Sequence, residues 1–79
     1  MNEKIYEILS QVMGVSHGDL NEDSSPDTVD NWDSLHHMSL ILALEEEFEV
    51  QFTDEQVVDM MNVKLILLIL EEARETSNP

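Results

Sequence analysis

The apolar residues of this chain recur at helical spacing along most of its length, with no strand-like alternation. Ile5, Ile8, Leu9, Val12 and Met13 follow the i, i+3, i+4, i+7, i+8 pattern of an amphipathic helix. At about 100° per residue, Leu40, Ile41, Leu44 and Phe48 form one face of a second helix, with His37 on the same side. Val63, Ile66, Leu67, Leu70 and Ala73 repeat the pattern near the end. A chain of 79 residues has room for one core, so these faces must bury against one another. The boundaries are written in local chemistry. Gly14 is a stop for the first helix. Asp33 is a good N-cap for a helix beginning at Ser34. Thr53-Asp54-Glu55-Gln56 matches a capping box and opens a short helix holding Val57, Val58, Met60 and Met61. Asn62 caps the last helix. Between the first two helices, residues 15–33 read as a long loop pinned by Val15, Leu20 and Val29. A loop of that length in a small domain tends to be functional. The expected architecture is all-α, with three longer helices, a short third one and a long loop between the first and second. Residues 1–75 form a single domain and residues 76–79 a frayed tail.

Charge narrows the partners. Three Lys+Arg against 18 Asp+Glu give a net charge of −15, which repels nucleic acid and anionic membranes and favours proteins with basic patches. There is no Cys, so neither a disulfide framework nor a thiolate metal site is available. Met1-Asn2-Glu3-Lys4 is not the basic start of a signal peptide. The longest apolar run, Leu65 to Leu70, is far too short for a membrane span. The chain reads as a cytoplasmic protein with no membrane insertion.

Asp33-Ser34-Leu35 sits where the long loop meets a helix start. The free amides and positive dipole end of a helix N-terminus tolerate a phosphodiester on Ser34. By itself the tripeptide reads as ordinary capping. A second apolar stripe, Leu35, Met38 and Leu42, abuts Ser34 on a face other than the core face, flanked by Glu45 and Glu46. Either it is exposed for docking, or the wheel is off by a few tens of degrees and it is core. The Glu45 to Glu47 run is an acidic rim or a plain solvated face. Leu65, Leu68 and Ile69 make the last helix apolar nearly all round, for a contact or beneath a covering loop.

The wider stretch carries a resemblance. Asp33-Ser34-Leu35, then Leu40, then Ala43-Leu44-Glu45-Glu46-Glu47-Phe48, resembles the phosphopantetheine-attachment region of acyl carrier proteins. The likeness continues through Phe52, the short helix at Asp54-Glu55, and Val63. It implies an acyl-carrier-protein-like four-helix bundle with 4′-phosphopantetheine covalently attached to Ser34, between Asp33 and Leu35. A phosphopantetheinyl transferase would install the arm from coenzyme A with Mg²⁺. Acyl groups would then ride as thioesters on its thiol, with no catalytic residue and no resident metal in the carrier itself. The implied partners are acyl-loading and acyl-processing enzymes with basic docking patches, met by Leu35, Met38, Leu42, Glu45 and Glu46 of a monomer. Three positions depart from the common pattern. His36 and Ser39 stand where carriers of bulk fatty acid synthesis are commonly acidic, and Trp32 where a small residue is usual. They point to a more specialised lipid, polyketide or other pathway.

Other readings compete. Asp19, Asn21, Asp23, Ser25, Asp27 and Asp30 fall on the ligand positions of an EF-hand loop, which defines an alternative calcium-binding helix–loop–helix. Against it, Ser24 takes the place of the turn glycine, and Asp30 is shorter than the usual bidentate Glu. Ser34, His37 and Asp33 could be drawn as a hydrolase site, but no nucleophile elbow or oxyanion donor accompanies them. His17, His36 and His37 make a poor zinc set, because adjacent helical residues point about 100° apart.

Overall fold

The computed structural model describes residues 2–77. Four α-helices are present among them: α1 (Asn2–Met13), α2 (Ser34–Phe48), α3 (Asp54–Asp59) and α4 (Val63–Ser77), with a 3₁₀ turn at His17–Asp19 and no strand. The expected order of three longer helices and a short third one is observed. α1 buries Ile5, Ile8, Leu9 and Met13 and packs against α2. Lys4 Nζ meets Glu47 Oε1 at 3.1 Å on the outer edge of that pair.

α1 ends as its sequence dictates. Gly14 adopts φ +70°, a left-handed value costly for any residue with a Cβ, and donates its N–H to the Ser10 carbonyl at 2.9 Å. The Ser10 hydroxyl reaches the Val15 carbonyl. Asn31, far along the loop, donates from Nδ2 to the Met13 carbonyl at 2.8 Å. The end of the loop is therefore fastened to the end of α1.

The loop is packed as well as long. Leu20 and Val29 are buried and Val15 half-buried, as expected; Trp32, 3% exposed, is a further anchor. Ser24 is buried too. Its Oγ accepts from the Asn21 N–H, while the carbonyls of Ser24 and Glu22 accept from the N–H groups of Val63 and Lys64. The loop thus satisfies two free amides at the start of α4, and Asn62 Oδ1 takes that of Leu65 at 2.8 Å.

α2 buries Leu40, Ile41 and Leu44, with Phe48 half-buried beneath the Arg74 guanidinium at 5.7 Å. α3 opens on the capping box: the Thr53 hydroxyl accepts from Gln56 N–H at 3.1 Å and Gln56 Oε1 from Thr53 N–H at 2.9 Å. α4 buries Val63, Ile66, Leu70 and Ala73, with Leu67 half-buried. Of its surplus apolar residues, Leu65 and Ile69 are half-buried and Leu68 stays exposed. No loop covers Leu68. The helix runs through Ser77. Asn78 and Pro79 lie outside the described residues. Each large side chain buried here contributes roughly 1.5–3 kcal/mol before entropy is subtracted.

Candidate functional site

Ser34 is exposed at the first position of α2. Asp33 has extended backbone and caps the helix, its Oδ1 accepting from the His36 N–H at 2.9 Å. The His36 ring leans onto the same oxygen, with Nδ1 at 2.8 Å. The His36 backbone N–H first, and the His36 ring second, hold the Asp33 carboxyl below its usual range. The residue next to Ser34 therefore stays anionic and tied to its own helix.

The apolar stripe is solvent-facing, not core: Leu35 is 74% exposed, Met38 49% and Leu42 61%. α3 extends it. Val58 and Met61 are exposed as well, and together with Trp32, His37, Met38 and Val57 they line an open groove of about 420 Å³ that reaches Ser34. Sequence reasoning missed the part played by Val58 and Met61. The expected short helix ends at Asp59, so Met60 and Met61 lie beyond it, and no helical periodicity told which of the two methionines faces solvent. Met60 is buried and Val57 half-buried, whereas Val58 and Met61 face outward.

The acidic residues divide by task. Glu46 is exposed, and Glu47 faces Lys4. Glu45 is half-buried and accepts from the Phe52 N–H through Oε2 at 2.9 Å, which pins the turn between α2 and α3. Its charge remains beside the stripe, but one oxygen is committed within the fold.

Both ring nitrogens of His37 are engaged: Trp32 Nε1 donates to Nδ1 at 2.9 Å, and Nε2 lies 2.9 Å from the Val57 carbonyl. The ring is thus not poised as a base toward Ser34, and the His36 ring is on Asp33, so the hydrolase constellation is not assembled. Nor are the histidines brought together for zinc. Among the described residues, no group of three or more His, Asp or Glu side chains is placed to hold a metal ion. The calcium reading fails on architecture. α1 stops at Met13 and α2 starts only at Ser34, so the loop is far longer than the twelve residues an EF-hand joins. Asn21 Oδ1 and Ser25 Oγ, two of its supposed ligands, accept from the N–H groups of Asp23 and Asp27 instead.

The fold thus presents an exposed serine at a helix start beside a mostly apolar groove. The comparisons with known proteins name the family. The family model described as "Phosphopantetheine attachment site" matches residues 3–67. The acyl carrier protein of Buchnera aphidicola subsp. Baizongia pistaciae is 32% identical over 72 residues, covering 91% of this chain and 92% of its own length. The solution NMR structure of the holo acyl carrier protein of Geobacter metallireducens superposes with a TM-score of 0.84 at 25% identity, covering 99% of this chain and 92% of that one. The chain belongs to the acyl carrier protein family. Its prosthetic group is covalently attached 4′-phosphopantetheine, and it is a carrier, not a catalyst. Its partners are a transferase and enzymes of acyl pathways. No helix among the described residues is long and apolar enough to cross a membrane.

Proposed function

We propose that Ser34 bears the arm, that residues 1–75 act as one monomeric carrier domain of the cytoplasm, and that acyl groups travel on it as thioesters between partner enzymes. The observation that carries this reading is the exposed Ser34 at the start of a fifteen-residue helix, on the rim of the groove. The residues present suit the group. The helix start accommodates a phosphodiester, and Asp33 is held by His36, not aimed at Ser34 Oγ. The groove volume lies within the usual range for small-molecule sites, and its wall is mostly apolar. When attached, the arm supplies the thiol that this Cys-free chain lacks. Asp33 and Leu35 flank the attachment point, and Met38 and Val58 offer apolar surface beside it.

Leu35, Met38 and Leu42 form the centre of the docking face, with Glu46 and the free oxygen of Glu45 as its acidic rim. Rim charges of this kind act mainly on association rate and on the rejection of wrong partners, which suits a carrier that must meet several enzymes briefly. His36 and Ser39 remove two carboxylates from that rim, and the His36 ring is hydrogen-bonded to Asp33. This favours partners of a specialised lipid, polyketide or other pathway over those of bulk fatty acid synthesis. The test is loading in vitro. With coenzyme A, Mg²⁺ and a broad-specificity phosphopantetheinyl transferase, the chain should gain one phosphopantetheine mass, and Ser34→Ala should stay folded and gain none. A label on Ser34→Ala, or a wild type refused by several transferases, overturns the proposal.

A further inference from the structure

We propose that His37 is a positioning residue for the arm-bearing end of the domain: as the neutral Nε2–H tautomer it ties the segment ahead of Ser34 to α3, and taking up a proton on Nδ1 breaks the tie at its Trp32 end while Nε2–H stays on the Val57 carbonyl. The part that concerns Ser34 rests on the attachment proposed above; the clamp itself does not.

The hydrogen bonds dictate the tautomer. An indole N–H only donates and a backbone carbonyl only accepts. With Trp32 Nε1 at 2.9 Å from Nδ1 and the Val57 carbonyl at 2.9 Å from Nε2, both contacts are satisfied only if Nδ1 keeps its lone pair and Nε2 carries the hydrogen. The two rings lie 6.2 Å apart, 22° from parallel, so the contact is a defined packing arrangement. A proton on Nδ1 would set two donors against each other and leave the indole N–H of a buried tryptophan unpaired.

What the clamp holds matters for the site. Trp32 is two residues ahead of Ser34 and His37 three residues after it. Val57 lies in α3, a helix of six residues with none buried, too short to persist by itself. α3 is also one wall of the groove that reaches Ser34. One imidazole therefore joins the loop end, the first turn of α2 and that wall. The charged and titratable groups on the elements around it are Asp33 and His36 beside it, Asp27 and Asp30 on the loop, and Asp54, Glu55 and Asp59 on α3. Neither ring nitrogen of His37 is bonded to any of them. Histidine is the side chain that ordinarily changes charge between about pH 5 and 8.

The chain reports on itself, because Trp32 is its one tryptophan. Long-range ¹H–¹⁵N correlations on the apo protein should find His37 in the Nε2–H form. As pH falls, the Trp32 indole N–H resonance should shift with the midpoint of the His37 ring. Amide exchange at the loop end, residues 29–33, corrected for its intrinsic pH dependence, should rise about 2- to 13-fold across that step, the equilibrium factor of one hydrogen bond, while α3 stays held by Nε2–H on the Val57 carbonyl. α1 should not follow. In Trp32→Phe, where no donor opposes the proton, the step in loop-end exchange should vanish. The ratio of kcat/KM for arm attachment, wild type over Trp32→Phe, cancels the transferase's own pH profile and should change by the same factor. An Nδ1–H tautomer, an indole signal that ignores His37, or exchange at residues 29–33 without a step would each overturn the clamp. Persistence of the step in Trp32→Phe would do the same. A chain that accepts no arm at any pH would instead refute the attachment, with the indole and exchange signals still deciding the clamp.

Discussion

Leu42 and Leu44 are two residues apart on α2, and the account gives them opposite tasks. Leu44 is fully buried, whereas Leu42 is 61% exposed. Leu44→Ala loses the transfer free energy of the removed atoms and leaves a cavity in a close-packed core, together about 2–5 kcal/mol. At roughly 0.05–0.15 kcal/mol per residue, a domain of 79 residues has about 4–12 kcal/mol in all. The substitution therefore removes a large share of the stability, and at about 4–8 °C per kcal/mol it should lower Tm by roughly 8 °C or more. Leu42 keeps only about two fifths of its surface from water, so Leu42→Ala should cost less than about 1 kcal/mol. Urea unfolding followed by far-ultraviolet circular dichroism, with the same slope for both variants, measures the pair. Pantetheinylated Leu42→Ala should then be charged more slowly by a partner enzyme at subsaturating concentration, because its loss lies on the docking face. Equal destabilisation by the two substitutions would refute the assignment of faces on α2, and with it the docking stripe.

Thr53→Ala removes the cap of α3 and should cost about 0.5–2 kcal/mol, read by the same unfolding assay. Asp33 gives a pH dependence of defined sign. Its carboxyl is held below the ordinary value in the folded chain, chiefly by the His36 N–H, so its stabilisation is present above the unfolded-state pKa and lost as pH falls through the lowered one. Asn caps as well as Asp but does not titrate. The stability difference between wild type and Asp33→Asn should therefore shrink steadily as pH is lowered through the carboxylate range, and an unchanged difference would contradict the assignment. With a net charge of −15, added NaCl near neutral pH should raise Tm by screening self-repulsion, and a steady fall would contradict that.

The helix starts were legible because their signals are local. Asp33 bonds three residues ahead, Thr53 and Gln56 bond each other, Asn62 reaches Leu65, and Gly14 takes the left-handed turn after α1. What was illegible depends on distant partners. His37 meets Val57 across 20 positions, Asn31 meets Met13 across 18, and the loop carbonyls of Glu22 and Ser24 cap α4. No periodicity encodes such contacts. Trp32 shows the difference well. In sequence it was an odd residue before the Asp-Ser pair; in the fold it is a core anchor whose N–H selects a histidine tautomer. The stripe beside Ser34 was legible as a stripe, but its exposure depended on a rotation of a few tens of degrees that only packing fixes.

The central claim is that this chain does its work through one arm on one serine. Intact mass of the protein from its native source, followed by tandem fragmentation, tests it most directly. The account predicts a single phosphopantetheine, with or without an acyl cargo, on the peptide that contains Ser34. A phosphopantetheine on any other residue, or a native protein that carries none while its cell's transferase is active, would contradict it.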